Sequence, residues 1–186
     1  MENKIQTLID IPQPDQRTDE WYHFRHNLLT ASSAWKCLHT ESARNQIIYE
    51  KCQPLNVAKF RSSNITTPFH WGQKYEPVSV MLYEKMYDTK VDDFGCIQHQ
   101  EYKFLGASPD GINTKKDSKL YGRMLEIKNI VNREINGIPK HEYWIQMQLQ
   151  METCMLNECD FLETRFKEYE DSDKFYEDGT FTKTET

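Results

Sequence analysis

The chain has 186 residues, of which 38% are hydrophobic and 28% charged, and its net charge is −6. This length and composition predict one folded domain with a hydrophobic core, and they exclude an intrinsically disordered chain. No apolar stretch approaches the roughly 20 residues that a membrane-spanning helix needs, and residues 1–10 lack the hydrophobic region of a signal peptide. The five cysteines are odd in number and irregularly spaced, which favours a reducing, intracellular setting over a disulfide-bonded fold.

The charge is unevenly distributed along the chain. Residues 157–186 contain ten acidic and four basic side chains and so carry the whole net charge, while the preceding residues are balanced. Two segments, 34–75 and 112–141, are locally basic. Such patches can bind phosphate groups, although an ordinary solvated surface would give the same pattern, and the acidic end is expected to be solvated.

The first part of the chain predicts an extended segment followed by a broken helix. Residues 1–18 contain two prolines and are expected to form an extended lead-in. After them, Trp21, Phe24 and Leu28 recur at intervals of three and four residues, which predicts a helix. This helix is expected to run from residue 19 to about residue 38, with a break and a new helix start at residues 30–33.

Two further helices are predicted over residues 42–53 and 69–87, with a loop over residues 53–67 between them. Pro77 is compatible with the second of these helices only in a first turn or at a kink. From residue 91 the pattern changes to short segments bounded by turn residues, which is typical of strands. Strands are predicted over residues 91–98, 102–107, 120–128 and 161–166.

Two turns and one helix complete the predicted order. Pro109-Asp110-Gly111 makes a turn after the second strand, and residues 113–119 are expected to form a polar hairpin loop. A helix over residues 141–156 precedes the last strand. Its stripe of large side chains is expected in the core: Trp144, Met147, Met151 and Met155. Helices followed by β-β-β-α-β predict an α/β or α+β domain.

Three charged residues form the strongest candidate for a reactive site. Glu126 and Lys128 lie two apart in a predicted strand, so they point to one face while Ile127 points to the core. An adjacent strand would bring Asp110 beside Glu126, where two carboxylates repel each other unless a divalent cation compensates them. Carboxylates suit Mg²⁺ or Mn²⁺, and a nearby lysine could orient a water or stabilise a charged phosphate. The alternative is a surface ion pair and an ordinary turn aspartate.

Five short motifs occur in a set order along the chain. They are Trp21…Arg25-His26-Asn27-Leu28-Leu29-Thr30-Ala31-Ser32, Gly72…Glu76-Pro77, Ser108-Pro109-Asp110-Gly111, Glu126-Ile127-Lys128 and Tyr143…Gln146. Together they resemble the YqaJ-like viral recombinase group, which includes the phage lambda exonuclease, within the PD-(D/E)xK nuclease superfamily. The resemblance covers about residues 19–167 and leaves residues 168–186 as an acidic tail that is expected to be flexible. It implies a restriction-endonuclease-like core, with a central mixed β-sheet flanked by helices.

The resemblance also implies a catalytic role for the matching charged residues. Glu76, Asp110 and Glu126 would bind one or two Mg²⁺ or Mn²⁺ ions, with the main-chain carbonyl of Ile127 as a further ligand. Lys128 would hold or activate the attacking water. Two such ions could stabilise both the attacking and the leaving oxygen of the phosphodiester.

A 5′-phosphate pocket is implied by the same resemblance. Its matching residues are Arg25, Ser32, Ser108, Tyr143 and Gln146, and their donor groups are those that a terminal phosphate requires. From the residues alone other interpretations stay open. Ser32 could cap a helix, Arg25 could pair with Asp19 or Glu20, and Gln146 could belong to a solvated helix face.

The expected function is a Mg²⁺-dependent exonuclease that degrades one strand of double-stranded DNA from its 5′ end. The remaining 3′ tail would pass to a single-strand annealing protein. Two alternatives are an endonuclease acting on DNA or RNA with the same catalytic residues, and a non-catalytic nucleic-acid-binding module. A homo-oligomer is a further expectation from the family. An intracellular location, in the host cytoplasm for a viral protein, is expected as well.

Overall fold

Helices lie at both ends of the chain and a run of short strands lies between them in a computed structural model that describes residues 2–58 and 68–178. The helices are α1 (Glu2–Asp10), α2 (Asp19–His26), α3 (Ala31–Ala34, continued by a 3-10 turn over Trp35–Leu38), α4 (Glu41–Cys52), α5 (Pro68–Tyr87), α6 (His141–Cys154) and α7 (Ser172–Asp178). The strands are β1 (Leu29–Thr30), β2 (Val91–Asp92), β3 (Ile97–Gln98), β4 (Leu105–Ala107), β5 (Gly111–Asn113), β6 (Met124–Asn129) and β7 (Cys159–Thr164). Most of the loop predicted over residues 53–67, and residues 179–186 of the predicted tail, lie outside the described residues.

The N-terminal segment is helical, so the prediction of an extended lead-in over residues 1–18 was wrong for residues 2–10. Ile5 and Leu8 are 2% and 1% exposed, and they pack into the main core cluster with Phe94, Ile97 and Met124. Their spacing of three residues places both side chains on one face of α1. The prolines after α1 dominated the sequence prediction, although proline ends a helix without preventing one upstream.

The helix predicted over residues 19–38 is broken as expected, but the break contains a strand. α2 begins at the N-cap Thr18, whose side chain accepts a hydrogen bond from the Trp21 main-chain N–H at 3.2 Å. β1 then pairs in parallel with β4 before α3 begins. A two-residue strand is too short to leave a periodic signal in the sequence.

Pro77 lies in the middle of α5 rather than in its first turn. Because proline has no main-chain N–H, α5 lacks one internal hydrogen bond directly after Glu76. The side chain of Asn129 donates to the main-chain oxygen of Gly72 at 2.8 Å, which ties this part of α5 to the end of β6.

The strands form two mixed sheets, with the orders β1-β4-β3 and β2-β5-β6-β7. The strand predicted over residues 91–98 is therefore two strands in different sheets. The hairpin predicted at residues 113–119 is present, but its first strand, β5, begins directly after the Pro109-Asp110 turn. Between β6 and β7 six parallel register pairs run from Met124–Cys159 to Asn129–Thr164. β6 is thus a central strand, which explains the burial of four consecutive residues, 124–127.

Helix α6 buries only part of the face predicted. Met147 is buried and Met151 packs against the main core cluster as expected, but Trp144 is 49% exposed and Met155 39% exposed. The buried face instead includes Gln146 and Gln150. Their amides reach a buried carboxylate on β6, which makes burial of this polar face favourable.

The remaining sequence predictions concern the tail, the cysteines and membrane spans. Residues 172–178 of the predicted tail form α7, and Asp178 contacts Lys167 and Tyr169. All five cysteines are free thiols, as the sequence predicted. No helix within residues 2–58 and 68–178 is long and apolar enough to cross a membrane.

Candidate active site

Glu126 is the buried centre of the candidate site. It is 0% exposed, and it shares a face of β6 with Lys128, to which it is ion-paired, while Ile127 is buried in the core. The Nε2 atoms of Gln146 and Gln150 donate to the two Glu126 carboxylate oxygens, each at 2.8 Å. Gln150 was not among the predicted site residues. The sequence feature that could have identified Gln150 is its position four residues after Gln146, which places both side chains on the same helix face.

Asp110 lies beside Glu126, as the strand order predicted. Its Oδ2 accepts a hydrogen bond from the main-chain N–H of Ile127 at 2.7 Å. Burial, together with the negative charges of Glu126 and Glu76, raises the pKa of Asp110 well above its ordinary value. The three carboxylates are therefore close enough to repel one another.

Glu76 reaches the site from the middle of α5. The Nη2 atom of Arg17 lies 2.8 Å from both Glu76 carboxylate oxygens. Burial raises the pKa of Glu76 even though Arg17 and Lys128 act to lower it. Arg17 was not predicted from the sequence, because it lies 59 residues from Glu76 along the chain.

Lys128 is held as a charged donor. Burial acts to lower its pKa, but the carboxylates of Glu126 and Asp110 outweigh burial and raise the pKa above its ordinary value. Its Nζ also lies 4.8 Å from the centre of the Tyr143 ring, within cation–π range. A lysine in this state can orient a water or stabilise negative charge, and it is a poor base.

A second group of residues surrounds the Arg25 guanidinium. Arg25 donates to the hydroxyls of Ser108 at 3.0 Å and Ser32 at 3.2 Å. Its guanidinium carbon lies 4.3 Å from the centre of the Trp21 ring, and Trp21 Nε1 donates to Ser108 at 3.2 Å. Burial lowers the pKa of Arg25, although a guanidinium stays charged at neutral pH. Trp21 is the first residue of the motifs that resemble the family, but it was not predicted to contact this pocket.

Ser32 does not cap a helix, which removes one alternative interpretation. The N-cap of α3 is Thr30, and Ser32 follows it within the helix with an exposed side chain. Its hydroxyl accepts a hydrogen bond from Arg25 instead.

Both groups of residues line one cavity of about 510 Å³. The predicted site residues in its wall are Arg25, Ser32, Glu76, Ser108, Asp110, Ile127, Lys128, Tyr143 and Gln146. Glu126, the remaining predicted residue, lies beneath this wall and is covered by Lys128, Gln146 and Gln150. The turn from Ser108 to Asp110 joins the Arg25 group directly to the carboxylates.

The side chains that could hold a metal ion are Glu76, Asp110 and Glu126, together with the main-chain oxygen of Ile127. In residues 2–58 and 68–178, no three His, Cys, Asp or Glu side chains form a ready-made metal cage. Glu76 and Glu126 are bonded to Arg17 and Lys128 instead, so a cation would replace these partners. The donors are all oxygens, and their mutual repulsion is what a divalent cation relieves, so they fit Mg²⁺ or Mn²⁺.

The chain is similar to a described protein family and to a viral protein. The model of a family described as the YqaJ-like viral recombinase domain matches residues 20–157. A protein of Acanthamoeba polyphaga mimivirus is 34% identical over an alignment of 193 residues, gaps included, that covers 95% of this chain and 34% of that protein. The chain therefore spans about a third of the length of this viral relative.

Two solved structures are also similar. The crystal structure of an alkaline exonuclease from Laribacter hongkongensis matches with a TM-score of 0.63 and 28% identity, over 80% of this chain and 74% of that one. The same exonuclease in complex with dAMP matches with a TM-score of 0.61 and 27% identity, over 78% and 73% of the two chains. The predicted family resemblance and the predicted restriction-endonuclease-like α/β fold are confirmed by these matches.

Proposed function

Because this chain belongs to the YqaJ-like viral recombinase domain family, we propose that it is a metal-dependent nuclease that degrades double-stranded DNA from 5′ ends. One observation carries the proposal. A single cavity joins a carboxylate–lysine cluster, suited to phosphodiester hydrolysis, to an arginine–serine pocket, suited to a terminal phosphate. The similarity to an alkaline exonuclease supports the same reaction class.

The carboxylate cluster would perform the hydrolysis. Glu76, Asp110, Glu126 and the Ile127 carbonyl would hold one or two Mg²⁺ or Mn²⁺ ions. Such an ion acts as a Lewis acid and lowers the pKa of a bound water. Gln146 and Gln150 fix the orientation of Glu126 by bonding both of its oxygens. Protonated Lys128 would orient the attacking water and stabilise negative charge on the phosphate.

The Arg25 pocket would select the 5′ end. A terminal phosphate monoester carries more negative charge than a phosphodiester, and Arg25, Ser32 and Ser108 offer it charged and hydroxyl donors. Ser108 and Asp110 belong to the same short turn, so the pocket and the carboxylates keep a fixed separation. A phosphate seated on Arg25 would then bring the adjacent phosphodiester to the carboxylates. One matched exonuclease structure contains dAMP, and a mononucleotide is the product of such cleavage.

Linear 5′-phosphorylated duplex, labelled separately at each end, tests the reaction beside a covalently closed circle. We expect Mg²⁺-dependent loss of the linear DNA from its 5′ ends, no cleavage of the circle, and no reaction with EDTA or with Lys128→Ala. Lys103→Ala, at an exposed lysine, is the matched control and should be fully active. Nicking of the circle would establish the endonuclease alternative, and binding without turnover would establish the binding module.

The pocket assignment has its own test. Wild-type protein should degrade 5′-phosphate ends faster than 5′-hydroxyl ends. Arg25→Ala should lower the ratio of these two rates by about 10–100-fold, the effect of a charge-assisted hydrogen bond. Equal rates on both ends in the wild type would contradict the pocket while leaving the nuclease in place.

Three further expectations go with this function and stay predictions. A 3′ single-stranded tail would be delivered to a single-strand annealing protein, and the chain would form a homo-oligomer. The relative encoded by a virus supports a location inside an infected host cell.

A further inference from the structure

Arg17 is a residue of the cavity wall that the proposed reaction does not yet use. Its guanidinium contacts both Glu76 oxygens at 2.8 Å, while 39% of its side chain stays exposed toward the cavity and solvent. The other basic residue of the cavity, Lys128, is ion-paired with one oxygen of Glu126. Glu76 and Glu126 therefore each have one basic partner.

The backbone holds Arg17 in an unfavourable conformation. Its φ of 68° lies in the left-handed region, which costs free energy for a residue other than glycine. The preceding Gln16 donates from Nε2 to the main-chain oxygens of Phe94 at 2.8 Å and Pro109 at 3.1 Å. On the other side, the Thr18 hydroxyl donates to the Asp15 main-chain oxygen at 2.7 Å. These bonds fix the loop next to Asp110 and direct the Arg17 side chain at Glu76.

Arg17 and a divalent cation are alternative partners for the same two oxygens. A cation bound by Glu76 would repel the guanidinium and free its N–H donors, while the bonds of Gln16 keep the Arg17 main chain beside the cavity. A phosphate of a DNA strand bound in this cavity would offer the freed guanidinium an anionic partner. A guanidinium binds phosphate with the same paired geometry that it uses with carboxylate.

We propose that Arg17 changes partners during the reaction: it neutralises Glu76 until a divalent cation binds there, and it then binds a phosphate of the DNA strand in the cavity. This inference rests on the proposed function, because it takes Glu76 as a cation ligand. Arg17 thereby couples the two binding events. Linkage requires the coupling to be reciprocal, so DNA strengthens cation binding as much as the cation strengthens DNA binding.

The first experiment measures Mn²⁺ binding to DNA-free protein by calorimetry and electron paramagnetic resonance. Arg17→Gly removes the competitor, and glycine suits the left-handed backbone. We expect Mn²⁺ to bind Arg17→Gly about fivefold more tightly than wild type, the fold-change that an ion pair of this exposure is worth. Arg17→Gln, which keeps the side-chain length, should show the same direction. Lys90→Ala removes a comparable exposed pair outside the cavity wall and should leave the affinity unchanged.

The second experiment measures binding of 5′-phosphorylated duplex in a Lys128→Ala background, which prevents cleavage. With Mn²⁺, the additional Arg17→Gly change should weaken binding severalfold and lower the salt dependence by about one phosphate contact. With EDTA, it should leave DNA affinity unchanged. A merely structural role would weaken binding equally in both conditions and would overturn the proposal.

The outcomes separate this inference from the proposed function. If wild type and Arg17→Gly both fail to bind Mn²⁺, the proposed metal site and the exchange both fall. If wild type binds Mn²⁺ and neither Arg17 variant binds it more tightly, the exchange is overturned and the nuclease proposal stands. Tighter Mn²⁺ binding together with Mn²⁺-dependent loss of DNA affinity supports the exchange.

Discussion

Single residues in the cavity carry charges that their neighbours must compensate, and Gln150 is one of these neighbours. Replacing it with leucine of similar size leaves one oxygen of buried Glu126 without its amide donor. We expect the free energy of unfolding to fall by about 1–3 kcal/mol. Turnover should fall by about 10–100-fold, as for other groups that orient metal ligands. Denaturant unfolding and a nuclease assay measure the two effects.

Gln148 provides the matched control, because it lies on the same helix with an exposed side chain. Gln148→Leu should leave both stability and turnover unchanged. A Gln150→Leu protein as active as Gln148→Leu would show that Glu126 needs no support from α6.

The raised pKa of Asp110 predicts that the cation-free site lowers the stability of the folded protein, by an amount that depends on pH. Its pKa is raised in the folded protein, so the folded state takes up a proton at higher pH than the unfolded chain does. This carboxyl therefore opposes folding at neutral pH, and its penalty disappears as the pH falls below the raised pKa. We expect Asp110→Asn to raise the melting temperature in EDTA at pH 7, by about 2–4 °C for each kcal/mol relieved.

The stabilisation by Asp110→Asn should shrink as the pH is lowered from 7 toward 4, because wild-type Asp110 becomes protonated. Saturating Mn²⁺ should reverse the order by stabilising only the wild type. Asp117→Asn, at an exposed position, is the control and should melt like wild type throughout. A variant less stable than wild type at pH 7 in EDTA would contradict the crowding of the carboxylates.

The sequence predicted which residues meet at the site better than it predicted what they contact. Glu126 and Lys128 follow from strand alternation, and Asp110 follows from the pairing of neighbouring strands. Arg17 and Trp21 were missed as contacts, because their partners Glu76 and Ser108 lie 59 and 87 residues away. Contacts of this range depend on the completed fold and leave no periodic signal in the chain.

Among the elements, a substitution in α1 can test whether the N-terminal segment belongs to the folded core. Leu8 is 1% exposed within the main cluster, so Leu8→Ala should lower the free energy of unfolding by about 2–5 kcal/mol. Ile9, its neighbour, is 50% exposed, and Ile9→Ala should change stability little. Equal effects in denaturant unfolding would show that α1 does not pack as the structure describes.

The long helices could be predicted from the sequence, while the shortest strands could not. α4 and α5 agree with the predicted ranges within about two residues, because helices of 12 and 20 residues give a longer sequence signal than a short strand does. β1, β2 and β3 have only two residues each, too few for alternation to be visible. The burial of Gln146 and Gln150 on α6 was not predicted, because it depends on one specific partner, Glu126, which lies on a distant strand.

At the scale of the whole molecule, the cavity lies where the two sheets are joined. The short turn containing Ser108 and Asp110 connects β4 of one sheet to β5 of the other. This turn therefore fixes the separation between the Arg25 group and the carboxylate cluster. On the proposed function, the spacing between end recognition and cleavage would be a property of the fold.

The acidic C-terminal segment should weaken DNA binding through its charge. Removing residues 171–186 deletes five acidic and two basic side chains, which changes the net charge from −6 to −3. We expect faster association and tighter binding of duplex at low ionic strength, by up to about tenfold. The gain should disappear near 1 M salt, where the Debye length is about 3 Å. Fluorescence anisotropy in the Lys128→Ala background measures both.

A variant that keeps residues 171–186 separates the effect of their charge from the effect of their volume. Asp171→Asn, Asp173→Asn and Glu177→Gln together produce the same net charge while they keep α7 in place. If repulsion is the cause, this triple variant should bind DNA as tightly as the truncated chain, with the same salt dependence. If only the truncation tightens binding, the segment instead blocks access to DNA by its volume. If neither variant differs from the parent at low salt, the acidic segment lies too far from the bound DNA to be felt across a Debye length.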